Sequence, residues 1–184
     1  RYLDTNGHGT FMAGLIAGRD STLTAPYSSA PASVYRGIAP DARIVSLKVG
    51  VADGGVDVSQ VIAAIDWVVQ HKNDNGLNIR VLSLSYGTNS KQSYLVDPLS
   101  YAIDRAWNAG IVVVAAVGNS GFQAGKKTGE LANPAFNPDI LAVGAYDTKG
   151  TTATGDDVVG TYSTTSCRNC RTPDWVAPGS HIQG

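Results

Sequence analysis

Basic stretches and long apolar runs are both missing from this chain of 184 residues. The formal net charge is -1 and charged residues make up 16% of the chain, so no segment could neutralise the phosphates of a nucleic acid. The longest uninterrupted apolar run, residues 111–117, falls far short of the ~20 residues needed to cross a bilayer. We therefore expect neither a nucleic acid nor a membrane among the partners of this chain.

Cysteine is also scarce, because Cys167 and Cys170 are the only two in the chain. A zinc site would need more ligands, and His181 is the only histidine nearby. A redox-active pair would stand at the start of a helix, whereas this segment is typical of a loop. We favour a small disulfide-closed loop in a secreted protein, and two free thiols are the alternative.

A histidine between two glycines opens the stretch around which the chain is organised, residues 6–18. We expect a helix over residues 11–17 with Thr10 as its N-cap, since a threonine hydroxyl can accept an N–H of the first turn. That helix is apolar all round, which is typical of a buried helix. His8 would then stand at the mouth of a rigid element, as a structural turn residue or as a proton carrier.

Two further helices are predicted along the chain. Apolar spacing indicates a helix over residues 58–72, and the second helix begins at Pro98 with Asp97 as its cap. We expect the second helix to turn Ile103, Ala106 and Trp107 towards the core.

Runs of β-branched and apolar residues predict strands. The run over residues 111–117 is apolar on both faces, as the centre of a parallel sheet requires. Alternating strands and helices indicate an α/β fold, a parallel sheet flanked by helices. The four predicted strands cover residues 42–49, 79–85, 111–117 and 139–145.

Polar groups lie at the carboxyl ends of two of these strands, at residues 83–87 and 118–121. In α/β folds, ligands bind beyond the carboxyl ends of the strands. The first group can offer main-chain hydrogen bonds to an extended peptide. The second presents the carboxamide of Asn119, which is a hydrogen-bond donor for a ligand or an ordinary turn residue. A phosphate cradle is a third interpretation, but no lysine supports it.

Five motifs, taken in order, resemble those of the subtilisin-like serine peptidases. The resemblance covers nearly the whole chain and implies an incomplete subtilisin-like three-layer sandwich. Residues 1–184 would then be a single partial peptidase domain. The motifs are Asn-Gly-His-Gly-Thr-Phe-Met-Ala-Gly at 6–14, Leu-Ser-Leu-Ser-Tyr-Gly at 82–87, Ala-Ala-Val-Gly-Asn-Ser-Gly at 115–121, Asn-Pro-Ala at 133–135 and Val-Ala-Pro-Gly at 176–179.

The resemblance implies a catalytic role for two residues. His8 matches the general base that takes a proton from a serine, and Asn119 matches the side-chain donor of the oxyanion hole. The family's orienting aspartate is expected before residue 1 and its nucleophilic serine after residue 184. Asp4 is too close to His8 and is expected to be a turn carboxylate. We therefore expect an internal fragment of a longer serine endopeptidase, inert by itself.

The resemblance also implies a cleft for a polypeptide substrate. Residues 54–56 and 83–85 would border the substrate main chain on two sides, and small apolar residues would line a pocket that prefers apolar or aromatic side chains. The peptide bond between Asn133 and Pro134 is expected to be cis beneath that pocket. The implied substrate-binding residues are Gly54, Gly55, Val56, Ser83, Leu84, Ser85, Ala116, Val117, Gly118 and Ala132.

The resemblance implies no cofactor for the chemistry. Calcium sites are frequent in the family, but no ligands are assigned in this chain. It further implies secretion and a propeptide in the longer protein. The sequence has two alternative interpretations: an inactive relative that keeps the fold for binding, and a nucleotide-binding α/β domain that uses residues 118–121.

Overall fold

The computed structural model describes residues 3–90, 92–121, 131–165 and 170–183. It divides the chain into two compact units, each of which is described by itself below. The first unit comprises Arg1–Gln60 with Ile182–Gly184, and the second comprises Val61–His181. The prediction of a single domain stays a prediction.

Helix α1, His8–Ala17, is the main element of the first unit. Its carboxyl end is held where the amides of Ile38 and Ala39 donate to the carbonyls of Leu15 and Ile16, at 3.0 and 2.7 Å. Ala17 is buried, whereas Phe11 is 36% exposed, so the prediction of a fully buried helix is wrong. The segment of Ile38 and Ala39 covers the carboxyl end of α1, and the end that carries His8 faces solvent.

Residues 42–49 do not form the predicted strand. Ile44 is 45% exposed and Val45 is 37% exposed, so these side chains are not packed in a sheet. The β-branched composition supplies the propensity for a strand, but a strand also needs a partner for its main chain. Within the described part of the chain, no ladder pairs with this segment.

A mixed five-stranded sheet forms the second unit. β1 pairs with β2 and β2 with β3, both in parallel, so their carboxyl ends lie at the same edge. β5 pairs with β3 in parallel and β4 pairs with it antiparallel. The sequence patterns predicted the first three strands, and they missed the last two. The strands are β1 Val81–Leu84, β2 Val112–Ala116, β3 Leu141–Asp147, β4 Val158–Val159 and β5 Trp175–Pro178.

The central strand β2 is buried on one face only. Val113 and Ala115 are almost completely buried, and α3, Pro98–Asn108, packs against this strand. Val112 on the other face is 41% exposed, so the prediction of a strand buried on both sides is wrong. Apolar residues on both faces give a strand the capacity for burial, but a second layer must also cover it.

Both remaining predicted helices are present, and the N-cap of α3 is confirmed. The Asp97 side chain accepts a hydrogen bond from the Ser100 amide at 2.7 Å, and Pro98 follows at the first position of the helix. Ile103 and Ala106 are fully buried, whereas Trp107 is 37% exposed and does not point into the core as expected.

Helix α2, Val58–His71, begins in the first unit and continues into the second. Its apolar spacing buries Val61, Ile65 and Val68, as predicted. None of the helices in the described ranges has both the length and the apolar character needed to cross a membrane.

Two side-chain links complete the second unit. The Asp174 carboxylate accepts hydrogen bonds from the Ala142 amide, at 2.7 Å, and from the Arg171 guanidinium, at 2.6 Å. The bond from Ala142 ties the residue before β5 to β3. Burial lowers the pKa of Arg171. Cys170 is disulfide-bonded, which confirms the oxidised interpretation, whereas Cys167 lies outside the described residues.

Candidate active site

The segment that carries His8 is held by Asp4. One Asp4 carboxylate oxygen accepts a hydrogen bond from the Gly7 amide at 2.9 Å. The other accepts two from Thr10, from the amide at 2.7 Å and from the hydroxyl at 2.8 Å. Thr10 is therefore a donor to Asp4, and the prediction that it caps the helix through its own oxygen is wrong. Gly7 occupies the N-cap position of α1 without a side-chain bond.

These bonds lower the pKa of Asp4 to about 2, first through the Thr10 amide and then through the Gly7 amide. Both carboxylate oxygens bind the turn before the helix, as expected for a turn carboxylate. His8 is exposed on the first turn of α1. The His8 side chain therefore faces solvent from a turn that is hydrogen-bonded to Asp4.

The three substrate-binding residues predicted in the first unit form a tight turn and its exit. The Val51 amide donates to the Gly55 carbonyl and the Gly54 amide to the Val51 carbonyl, each at 3.0 Å. Val56 then pairs with Gly50 across an antiparallel bridge. A Cβ built on Gly54 would lie 3.2 Å from Nδ2 of Asn6, so this turn borders the segment that leads to His8.

The other predicted residues cluster at the carboxyl ends of β1 and β2. Leu84 and Ala115 are partners in the parallel register, which places the loops after both strands at one edge. Ser83, Ser85 and Ala116 are exposed there, so a ligand can reach them.

Ala132 joins the two strand ends. Its amide donates to the Val117 carbonyl at 3.0 Å, and the next residue, Asn133, forms a two-way bridge with Thr88. The bond from Asn133 to Pro134 is cis, as predicted. Val117 itself is 1% exposed, so its side chain packs in the core and its main chain alone borders this region.

The exposed Asn119 stands on a loop that a buried segment holds from beneath. The Ser120 amide donates to Oγ1 of Thr164, and the Thr164 amide donates to the Gly118 carbonyl, both at 3.0 Å. The Gly121 amide adds a bond to the Tyr162 carbonyl at 2.9 Å. Thr164 is 1% exposed. No sequence pattern pointed to Thr164, and only the Ser/Thr-rich stretch at 163–166 could have suggested it.

The arrangement in the second unit fits recognition of an extended chain beside a polarised carbonyl. The strand ends provide open main chain, and Asn119 provides a carboxamide N–H donor at the same edge. Across the described ranges, no group of three or more His, Cys, Asp or Glu side chains could hold a metal ion.

Comparison with known families and proteins gives a consistent picture. The model of the subtilase family matches residues 1–184. Serine protease AprX of Bacillus subtilis is 33% identical over 184 residues, which cover 97% of this chain and 39% of that protein. Subtilisin DY of Bacillus licheniformis is 35% identical over 144 residues, which cover 78% of this chain and 44% of that protein.

Among solved structures, sphericase superposes with a TM-score of 0.73 at 27% identity. The match covers 97% of this chain and 54% of the sphericase chain. The present chain therefore spans less than half the length of these two curated relatives and about half of the structural neighbour.

Proposed function

This chain belongs to the subtilase family, and on that premise we propose that it is part of a serine-type endopeptidase. The observation that carries the proposal is the exposed carboxamide of Asn119, held on a clamped loop at the carboxyl edge of the sheet. Its neighbours on the same edge, Ser83 and Ser85, are open to an extended peptide.

In the proposed mechanism, His8 takes the proton of a serine hydroxyl while the serine oxygen bonds to the substrate carbonyl carbon. The carbonyl π-electrons move onto oxygen, and the Asn119 amide donates a hydrogen bond to the resulting oxyanion. When the intermediate collapses, the carbon–nitrogen bond breaks and His8 returns the proton to the leaving amine. Water then repeats the cycle on the acyl-enzyme. No cofactor takes part in these steps.

We propose that the serine and the aspartate of the triad are contributed by parts of a longer protein outside residues 1–184. The serines of the present chain lack the Gly-Thr-Ser flank of the family. Both oxygens of Asp4 bind the turn before α1. On this proposal residues 1–184 alone would not hydrolyse peptides.

The substrate in this proposal is an extended polypeptide. Its main chain would pair with residues 83–85 in the manner of an added strand. Residues 54–56 are proposed as further substrate-binding residues. The small residues Ala116, Gly118 and Ala132 would border the pocket for the side chain before the cleaved bond. We therefore propose a preference for apolar or aromatic side chains there.

Secretion and a propeptide are part of the same proposal. One relative, 30% identical over 184 residues, is named the minor extracellular protease Epr of Bacillus subtilis. The disulfide-bonded state of Cys170 also supports an oxidising compartment.

The test is peptide hydrolysis by the full-length protein, with each rate divided by the concentration of folded protein. His8→Ala should lower kcat by a factor on the order of 10⁴–10⁶, because the serine then has no base. His71→Ala is the matched control, since that histidine stacks on Trp67 and has no proposed role in catalysis. Full activity in the His8→Ala protein, or none in the wild type, would overturn the proposal. An inactive but folded wild type would favour a binding scaffold.

A further inference from the structure

We propose that Thr164 is a positioning residue that fixes the direction of the Asn119 side chain; the inference rests on the proposed endopeptidase function. The residues on both sides of Asn119 are hydrogen-bonded to Thr164. The Thr164 hydroxyl accepts from the Ser120 amide, and the Thr164 amide donates to the Gly118 carbonyl, each at 3.0 Å. The two peptide planes that flank Asn119 are therefore fixed by one residue.

These hydrogen bonds matter because the Asn119 side chain is exposed. Its direction therefore follows from the position of its own backbone. Thr164 has less freedom to move, since it is only 1% exposed. A third hydrogen bond between the same two segments runs from the Gly121 amide to the Tyr162 carbonyl, at 2.9 Å. The position of the loop is therefore set by its hydrogen bonds to residues 162–164.

Packing on the loop limits movement in the remaining direction. Gly118 has a φ of +100°, and a Cβ built there would lie 3.0 Å from the Ala132 Cβ and 3.3 Å from Oγ1 of Thr164. A side chain at position 118 would therefore be crowded by Ala132 and Thr164.

An oxyanion-hole donor is effective only within a narrow range of distances from the developing charge. A displacement of ~1 Å at a reacting centre can cost ~10²-fold in rate. Removing the Thr164 hydroxyl leaves the part-buried Ser120 amide without its acceptor, so we expect the loop to shift as this amide finds another partner or water. The loss should appear in the step that forms the oxyanion and leave substrate binding nearly intact.

Thr164→Val in the full-length protein is the decisive variant, because valine has the shape of threonine and no acceptor. We expect kcat per titrated active site to fall by on the order of 10-fold, with KM nearly unchanged. Thr164→Ser keeps the hydroxyl and should restore most of the rate. A merely structural role would lower the unfolding midpoint of the valine variant and leave its kcat per site intact.

Ser163→Ala is the matched control. Ser163 is also buried, at 2% exposure, and its hydroxyl accepts a hydrogen bond from the Ala145 amide at 3.0 Å. The alanine variant therefore loses the same kind of bond from strand β3, away from the loop. We expect a lower unfolding midpoint and an unchanged kcat per titrated site.

A double-mutant cycle with Asn119→Leu separates action through Asn119 from other effects. If Thr164 acts through that side chain, Thr164→Val should have almost no effect on kcat in the leucine background. Equal losses in both backgrounds, or equal kcat for the Thr164→Val and Ser163→Ala proteins, would overturn the inference.

If Thr164→Val yields no titratable enzyme, Thr164→Cys, with a weaker acceptor of similar size, is judged by the same criteria. An inactive wild type would instead refute the proposed function.

Discussion

The two units hold the side chains that we propose to be catalytic by opposite means. In the first, the turn before His8 is clasped by the carboxylate of Asp4, in contact with solvent. In the second, the loop of Asn119 is tied to a neutral hydroxyl that is almost completely buried, that of Thr164. Both devices bind main-chain amides. They differ in whether charge or burial provides the strength of the bond.

This difference determines what can disturb each device. A bond to an exposed carboxylate is charge-assisted, but it can be lost by protonation and competes with water. A bond to a buried hydroxyl does not titrate, but the part-buried amide that loses it has only partial access to water. The first device should therefore respond to pH, and the second to changes of shape or of acceptor.

Among the changes that test this comparison, the largest effect is expected from Asn119→Leu in the full-length protein, which removes the side chain whose loop is hydrogen-bonded to Thr164. Leucine is similar in size and cannot donate, so kcat should fall while KM stays nearly the same. We expect a loss on the order of 10²–10³-fold, roughly 3–4 kcal/mol, a magnitude known for the oxyanion donor of subtilisin and carried over by family membership. Steady-state kinetics per titrated active site measure it.

Asn75→Leu is the control for the alternative that Asn119 is an ordinary turn residue. Asn75 is exposed and has a left-handed backbone, with φ at 50°, so its replacement should lower stability alone. If both variants lower the unfolding midpoint and keep a normal kcat per site, Asn119 has no part in the mechanism.

Much of the second unit was predictable because its signals are local. Asp97 followed by Pro98 is a start signal contained within a few residues, and the structure confirms the cap. The apolar run that became β2 needed no distant information, nor did the spacing that buries Ile65 in α2. The family motifs further predicted the cis bond before Pro134, which the structure confirms.

What the sequence could not reveal depends on contacts between distant segments. The bond from the Ser120 amide to Thr164 joins residues 44 positions apart, and no periodicity records such a pair. The failure of residues 42–49 to form a strand has the same origin, since pairing depends on a neighbour and not on composition. The clasp on Thr10 was missed because the acceptor, Asp4, lies outside the helix pattern.

A smaller effect is expected when alanine replaces the glycine of each device. Both have positive φ, +87° at Gly7 and +100° at Gly118, where an L-residue costs about 1–2 kcal/mol. Nothing lies within 4 Å of a Cβ on Gly7, so Gly7→Ala should cost only that strain. Gly118→Ala must also displace Ala132 or Thr164, and should lower the free energy of unfolding by about 2–3 kcal/mol. Denaturant unfolding of the full-length variants measures both.

The two glycine variants are controls for each other, since backbone strain is common to both. An equal loss at the two positions would mean that the Asn119 loop yields without resistance. The contrast between a shape-sensitive and a charge-sensitive device would then be wrong.

The smallest effect is expected from pH, and it should act on one device alone. The folded pKa of Asp4, about 2, lies below its ordinary value of 3.8, so the carboxylate stabilises the turn above pH ~4. That contribution is lost as the pH falls towards about 2, because the protonated acid is a poorer acceptor for the Thr10 amide.

Hydrogen exchange of the full-length protein, corrected for the intrinsic pH dependence, should show falling protection of the Thr10 amide over this range. The Ser120 amide, whose acceptor does not titrate, should keep its protection until the whole protein unfolds. In Asp4→Asn the Thr10 amide should be less protected at neutral pH and independent of pH below it. Parallel loss at both amides in the wild type would show that the clasp has no titration of its own.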